Sequence, residues 1–238
     1  MLRTLAALIS NAEQLIYPTA CLLCDAPPGN PDAIRHGLCA GCHLEVVTDP
    51  FPACLRCAQT VGPHTDTSKG CAGCSGSPLV FERATRLGPY VGKLREAVLR
   101  TKVISGEGLA DMLGRTFAES RIEAFRSERF DVVCPVPLHW WRKWRRGYNQ
   151  AEALAREPAG GLGVAFDARL LCRGRQVTQH VQSSRQARVD NVRGAFRAAA
   201  GARVKGKTVL LVDDVMTTGS TASEAARVLR AAGAARVV

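Results

Sequence analysis

Eight of the ten cysteines lie before residue 75, in four C-x-x-C pairs: Cys21 and Cys24, Cys39 and Cys42, Cys54 and Cys57, Cys71 and Cys74. Each pair can form a knuckle that presents two thiolates to one metal, and two knuckles complete a tetrahedral, all-sulfur zinc site. The gap from Cys24 to Cys39 is 14 residues, and from Cys57 to Cys71 it is 13. Fourfold repetition of the knuckle predicts two structural Zn²⁺ ions. Pairing the knuckles in sequence or cross-bracing them uses the same eight ligands, and spacing does not separate the two. A redox C-x-x-C normally occurs once, beside a strand–helix unit. Disulfides would need an oxidising compartment.

The N-terminus gives no sign of such a compartment. Its apolar stretch is interrupted by Asn11, Glu13 and Gln14, and no small-residue cleavage site follows. It reads as an amphipathic helix on Leu2, Leu5, Leu8, Ile9 and Leu15, and the expected location is the cytoplasm. No run approaches the ~20 apolar residues of a membrane-spanning helix. Residues 1–80 are rich in Pro and Gly, with few large apolar side chains, so metal must supply much of their stability. His36, His43 and His64 lie among the knuckles but are surplus to a complete sulfur set. Cys134 follows Val132 and Val133 and reads as a small buried residue.

From residue 81 onward the pattern changes. Short strands are expected at Arg83–Leu87 and Arg169–Cys172, and buried strands at Phe130–Pro137 and Lys207–Asp214. Helices are expected at Leu94–Val103, at Gly108–Phe125 with Ser105 as cap, at Gln150–Arg156 before a break at Pro158–Gly163, at Arg185–Val192, and at Thr221–Ala232 closed by Gly233. Alternating strands and helices predict an α/β domain over 81–238, a parallel sheet flanked by helices, behind a small zinc-ribbon domain over 1–80. The apolar run of Val209–Val212 suits a central parallel strand.

Charge follows the same division. Residues 1–80 hold four basic and six acidic side chains, whereas 139–200 hold 12 basic and four acidic. All three tryptophans, Trp140, Trp141 and Trp144, fall in that basic window. Basic charge interleaved with aromatics suits phosphates and stacked bases. Three tryptophans so close cannot all face one core, so at least one is expected at the surface and at least one in the core.

The segment Val209–Thr221 carries the strongest chemistry. An apolar strand runs out into Asp213 and Asp214, then a loop of Thr217, Thr218, Gly219, Ser220 and Thr221 opens a helix. Ligands of open α/β sheets bind at the carboxyl ends of strands. Loop amides, hydroxyls and the helix N-terminus suit a phosphate, and Gly219 lets the backbone come close. The two carboxylates repel phosphate and suit vicinal sugar hydroxyls. Together they describe a sugar phosphate held at both ends.

This segment resembles the loop of type I phosphoribosyltransferases that binds 5-phosphoribosyl-1-pyrophosphate (PRPP). The resemblance implies that Asp213 and Asp214 hold the ribose hydroxyls and that Thr217, Thr218, Gly219, Ser220 and Thr221 hold the 5-phosphate. Pro135–Leu138, then Arg146-Gly147-Tyr148-Asn149-Gln150, and Gln179–Phe196 with Gln182, Arg188, Asn191 and Gly194, resemble the ComF family. So do the four knuckles, although Gln176–Ser184 departs from that family's pattern. In type I enzymes a loop after the first core strand meets pyrophosphate. Here that place offers Arg142 and Arg146, with Lys143 and Arg145 beside them, and Mg²⁺ would share the work. Lys102 is placed to reach the site or to solvate its helix.

Two functions follow from this resemblance. The first is a PRPP-binding phosphoribosyltransferase acting in DNA uptake, natural transformation or DNA processing. The second is a non-catalytic single-stranded nucleic-acid-binding protein on a PRPP-type fold. The family implies single-stranded DNA and DNA-uptake proteins at the inner membrane as partners. No residue identifies an acceptor base, and fold alone does not decide between the two functions.

Overall fold

The computed structural model describes residues 20–27, 34–35, 37–77, 79–174 and 192–238. The expected N-terminal helix, His36, most of Arg185–Val192, and Gln176, Gln179, Gln182, Arg188 and Asn191 lie outside the described residues. In chain order the ribbon half contains β1 (Ile34–Arg35), β2 (Leu38–Cys39) and α1 (Ala40–Val47). Next come α2 (Gly92–Arg100), α3 (Glu107–Arg121), β3 (Val132–Pro135), α4 (Trp140–Arg146) and α5 (Gln150–Leu162). The chain continues through β4 (Ala165–Phe166), β5 (Leu171–Arg173), β6 (Phe196–Ala198), β7 (Thr208–Val212), α6 (Ser220–Ala231) and β8 (Arg236–Val237).

A parallel sheet of order β4-β3-β7-β8 forms the centre, with Val132 opposite Val209 and Pro135 opposite Val212. The period-two alternation of strand side chains divides its residues between two cores. Val132, Cys134 and Val209 pack with Ala225, Ala226 and Leu229 of α6 on one face. Val133 and Leu210 pack with Ala155 and Ala159 of α5 on the other. Both faces are therefore covered, which is why β3 and β7 read as continuous apolar runs. Strands β5 and β6 form a separate antiparallel pair with Arg173 opposite Phe196.

The first knuckles share a core with the helices that follow them. Cys21, Leu23, Leu38, Cys42 and Val46 pack against Leu94, Ala97 and Val98 of α2 and Leu109, Met112 and Leu113 of α3.

Several local expectations change. The break expected at Pro158 is absent: α5 runs through it to a left-handed cap at Gly163, φ +66°. Proline removes the bond to the carbonyl four residues back, that of Leu154. That oxygen lies so close to Gly114 of α3 that a Cβ there would sit 2.9 Å away. Close packing of the two helices outweighs the lost bond. Arg83–Leu87 is not a strand. Its side chains hold it instead: Arg86 reaches both carboxylate oxygens of Asp49, the Ala58 carbonyl and Thr60, while Arg83 pairs with Glu128. Ser105 is not the cap of α3, because it lies in a 3₁₀ turn (Ile104–Gly106) that leads directly into the helix. All three tryptophans are exposed, Trp140 by 65 %, Trp141 by 42 % and Trp144 by 72 %, so none joins a core. Helix α4 has no buried residue at all.

Candidate functional site

The cysteines form two tetrads, each with its four sulfurs within 4.8 Å of one another: Cys21, Cys24, Cys39 and Cys42, then Cys54, Cys57, Cys71 and Cys74. The knuckles thus pair in sequence. A tetrahedral centre with Zn–S near 2.3 Å separates its sulfurs by about 3.8 Å. Cys24 and Cys39 are 3.8 Å apart, Cys57 and Cys71 3.7 Å, and Cys54 and Cys74 3.8 Å. The donor set and spacing of each tetrad fit one zinc ion. Among the described residues, no histidine belongs to either cluster.

Asp213 and Asp214 follow the last residue of β7, at the carboxyl end of the sheet. The Asp214 amide donates to Asp213 Oδ1 at 2.9 Å, which fixes the Asp213 carboxylate beside the Asp214 backbone. Burial, and then the Asp214 charge beside it, hold the Asp213 carboxyl well above the usual carboxylate range. Asp214 has cationic and amide partners: Lys102 Nζ lies 3.3 Å from its Oδ2, and Gln150 Nε2 donates to the same oxygen at 3.1 Å. Lys102 therefore reaches the site.

The run Arg146–Gln150 positions these partners. Gly147 ends α4 at φ +88°, a left-handed conformation that suits glycine. The Tyr148 hydroxyl donates to the Thr101 carbonyl, fixing the chain beside Lys102. Burial pushes that phenol up to about 12, so it remains a donor. Asn149 caps α5 by accepting from the Ala151 amide at 3.2 Å and donates to the Val136 carbonyl at 3.1 Å. Arg146 donates to Gln150 Oε1, leaving the Gln150 amide group to face Asp214.

Past the carboxylates, Gly219 sits at φ +74° immediately before α6, with no side-chain cap. The Ser220 amide donates to Thr218 Oγ1 at 3.4 Å, and the following first-turn amides of α6 suit an anion. Thr218 Oγ1 and Ser220 Oγ lie 2.7 Å apart. Thr217 is exposed, and Thr218, Ser220 and Thr221 are half-buried. Beside the loop is a cavity of about 800 Å³, bordered by Asp213, Asp214, Thr217 and Thr218 on one side and Tyr90 and Val91 on another.

A Cβ on Gly219 would meet Leu79 Cδ2 at 3.0 Å and the Phe81 ring at 3.4 Å. Gly219→Ala should therefore destabilise the chain by ~1–2 kcal/mol from the left-handed backbone alone. It should also weaken binding of ribose 5-phosphate, and a melting curve with a calorimetric titration checks both.

Arg142 and Arg146 lie near enough to influence each other, and Asp214 acts on Arg146. Arg173 is a further cation, one that sequence reading missed. It stacks 5.3 Å from the Phe196 ring centroid, its charge feels both Arg142 and Asp213, and its buried Nε has no hydrogen-bond partner among the described residues. Nothing in its local sequence distinguishes Arg173 from other arginines. Its significance comes from the β5–β6 pairing, which sets it across from Phe196.

The fold and the two cysteine tetrads define a phosphoribosyltransferase-type domain joined to a zinc-ribbon. Residues 144–238 match the model of the phosphoribosyl transferase domain family. The chain belongs to the ComF family, and similarity extends over nearly its whole length. It is 34 % identical to the DNA utilization protein YhgH of Salmonella typhimurium over 94 % of this chain and 96 % of that one. It is 32 % identical to the Escherichia coli YhgH over the same shares. It is 28 % identical to competence protein F of Haemophilus influenzae, over 86 % of this chain and 89 % of the relative. Among solved structures it is similar to the glutamine PRPP amidotransferase from B. subtilis, with a TM-score of 0.40 and 26 % identity over 60 % of this chain. The chain spans 29 % of that structure. Among the described residues no helix is long and apolar enough to cross a membrane.

Proposed function

We propose that the chain binds PRPP at the carboxyl end of β7 and serves in DNA utilization, the role for which its relatives are named. Thr217, Thr218, Gly219, Ser220 and Thr221 take the 5-phosphate. Asp213 and Asp214 take the ribose hydroxyls. Arg142 and Arg146, with Arg173, face the pyrophosphate, and Mg²⁺, held mainly by the phosphate oxygens, would share in neutralising its charge. One juxtaposition carries this reading: two carboxylates and a hydroxyl loop at one strand end, with arginines close enough for their charges to act on those carboxylates. In a transfer reaction the C1–oxygen bond to pyrophosphate breaks, the leaving group takes the electron pair, and an acceptor bonds to C1. The protein's share is positioning and stabilising the leaving charge. Titration calorimetry with PRPP and Mg²⁺ should show saturable binding that weakens without Mg²⁺. Absence of saturable heat in folded, zinc-loaded protein would remove the proposal.

The exposed tryptophans favour a second reading, single-stranded nucleic-acid binding. Trp141 and Trp144 stack with ring centroids 5.1 Å apart, on a helix that also carries Arg142, Lys143, Arg145 and Arg146. Binding of single-stranded DNA should fall steeply as salt rises. Replacing the three tryptophans by alanine should cost ~1–3 kcal/mol for each ring that stacks on a base. No detectable binding at low salt by folded protein would leave the helix to another role.

A further inference from the structure

Arg56 lies between two ligands of the second tetrad, Cys54 and Cys57, yet its side chain leaves the ribbon. Nη2 donates to the Leu79 carbonyl at 2.8 Å, and Nη1 donates to the Glu82 carbonyl at 2.8 Å and to that of Phe81. The guanidinium also lies 5.6 Å from the Phe81 ring centroid. Three main-chain carbonyls thus converge on one planar fork, which arginine satisfies and a point-charge ammonium does not.

The strand of chain held this way is the wall of the candidate phosphate loop. Leu79 and Phe81 provide the atoms that a Cβ on Gly219 would meet. The Val80 amide donates to Ser223 Oγ in the first turn of α6, at 3.4 Å. Leu79 packs both against the second cysteine cluster and against the core that α6 shares with the sheet. On its far side the segment is tied to the sheet, where the Glu82 amide donates to the Val237 carbonyl at 2.9 Å.

We propose that Arg56 is a positioning residue for the phosphate loop and links sugar-phosphate binding to the second cysteine tetrad. Metal held by Cys54, Cys57, Cys71 and Cys74 fixes the Arg56 backbone. Arg56 fixes residues 79–82, and these hold Gly219 in the left-handed conformation that directs the Thr218 and Ser220 hydroxyls and the first amides of α6 to one point. The ribbon is thus part of the binding site without touching the ligand. This inference rests on the reading of 217–221 as the phosphate loop.

The test titrates ribose 5-phosphate, and separately inorganic pyrophosphate with Mg²⁺, into the full zinc-loaded chain and its variants. Arg56→Ala should weaken ribose 5-phosphate about tenfold. Arg56→Lys should weaken it less, because one carbonyl can still be reached. Both should keep one zinc per tetrad and wild-type affinity for pyrophosphate, which meets the arginine side of the site. Leu79→Ala removes the contact beneath Gly219 with Arg56 in place, and should show the same selective loss. It decides the matter if Arg56→Ala does not fold.

Thr218→Val separates the two levels of the argument. If it weakens ribose 5-phosphate while the Arg56 and Leu79 variants bind as wild type, the coupling is wrong and the loop assignment stands. If Thr218→Val has no effect, the loop assignment fails and the coupling with it. An equal loss of pyrophosphate in the Arg56 variants would mean general damage and would also overturn the proposal.

Discussion

Asp213→Asn combined with Asp214→Asn is expected to lower PRPP affinity at least ~tenfold while the chain stays folded. Each charged hydrogen bond to a ribose hydroxyl contributes ~1.5–3 kcal/mol, and asparagine keeps the size while removing the charge. Stability should move the other way in the single variant Asp213→Asn. Burial and the neighbouring carboxylate raise the folded Asp213 pKa, so its ionised form is disfavoured by folding. That penalty is complete above the folded pKa, shrinks as pH falls through it, and disappears below the unfolded value of ~3.9. Asp213→Asn should therefore melt higher than wild type at neutral pH, by ~2–4 °C for each kcal/mol relieved. The advantage should fade in acid. Melting curves at several pH values, run beside the titration, separate loss of ligand contacts from loss of fold. Unchanged PRPP affinity in the folded double variant would leave this loop as an ordinary helix start.

Zinc removal should have the largest structural effect. Fresh, reduced protein is expected to carry two Zn²⁺, one for each tetrad. Metal binding by such sites supplies ~10–16 kcal/mol of folding free energy in small ribbons. Chelation should not unfold the ribbon in isolation. Leu23, Leu38 and Val46 are buried against α2 and α3, so loss of the first tetrad uncovers Leu94, Ala97 and Val98. Amide exchange should therefore quicken through residues 37–77 and α2 together, while β7 and α6 keep their protection in the core around Val209 and Leu229. Protection of α2 that survives chelation would show that its core stands without the first tetrad. Elemental analysis that finds no zinc, or disulfides among these cysteines, would remove the metal assignment itself.

Much of the site was legible because its features are local. The C-x-x-C spacing identifies a metal knuckle within four residues. The apolar run Val209–Val212 ending in two carboxylates marks a buried strand and its polar exit, and β7 does lie inside the sheet, paired on both sides. A glycine just before a helix marks a turn that side chains resist, and Gly219 takes that conformation. Periodicity and backbone sterics act over a few residues, so they can be read along the chain.

What the sequence by itself determined, then, is the class of domain, the cysteine sets able to hold metal and the segment proposed here to meet a sugar phosphate. The tertiary structure decided which cysteines cluster together, because both pairings have the same ligands and loops long enough to close. It decided that α5 continues through Pro158, since Gly114 on another helix permits the close approach. It brought Lys102 and Gln150 to one oxygen of Asp214 from positions 112 and 64 residues away. It set Arg173 opposite Phe196 and left every tryptophan outside the cores. These outcomes depend on contacts between segments distant in sequence, and local preference carries no record of which distant neighbour a side chain will meet.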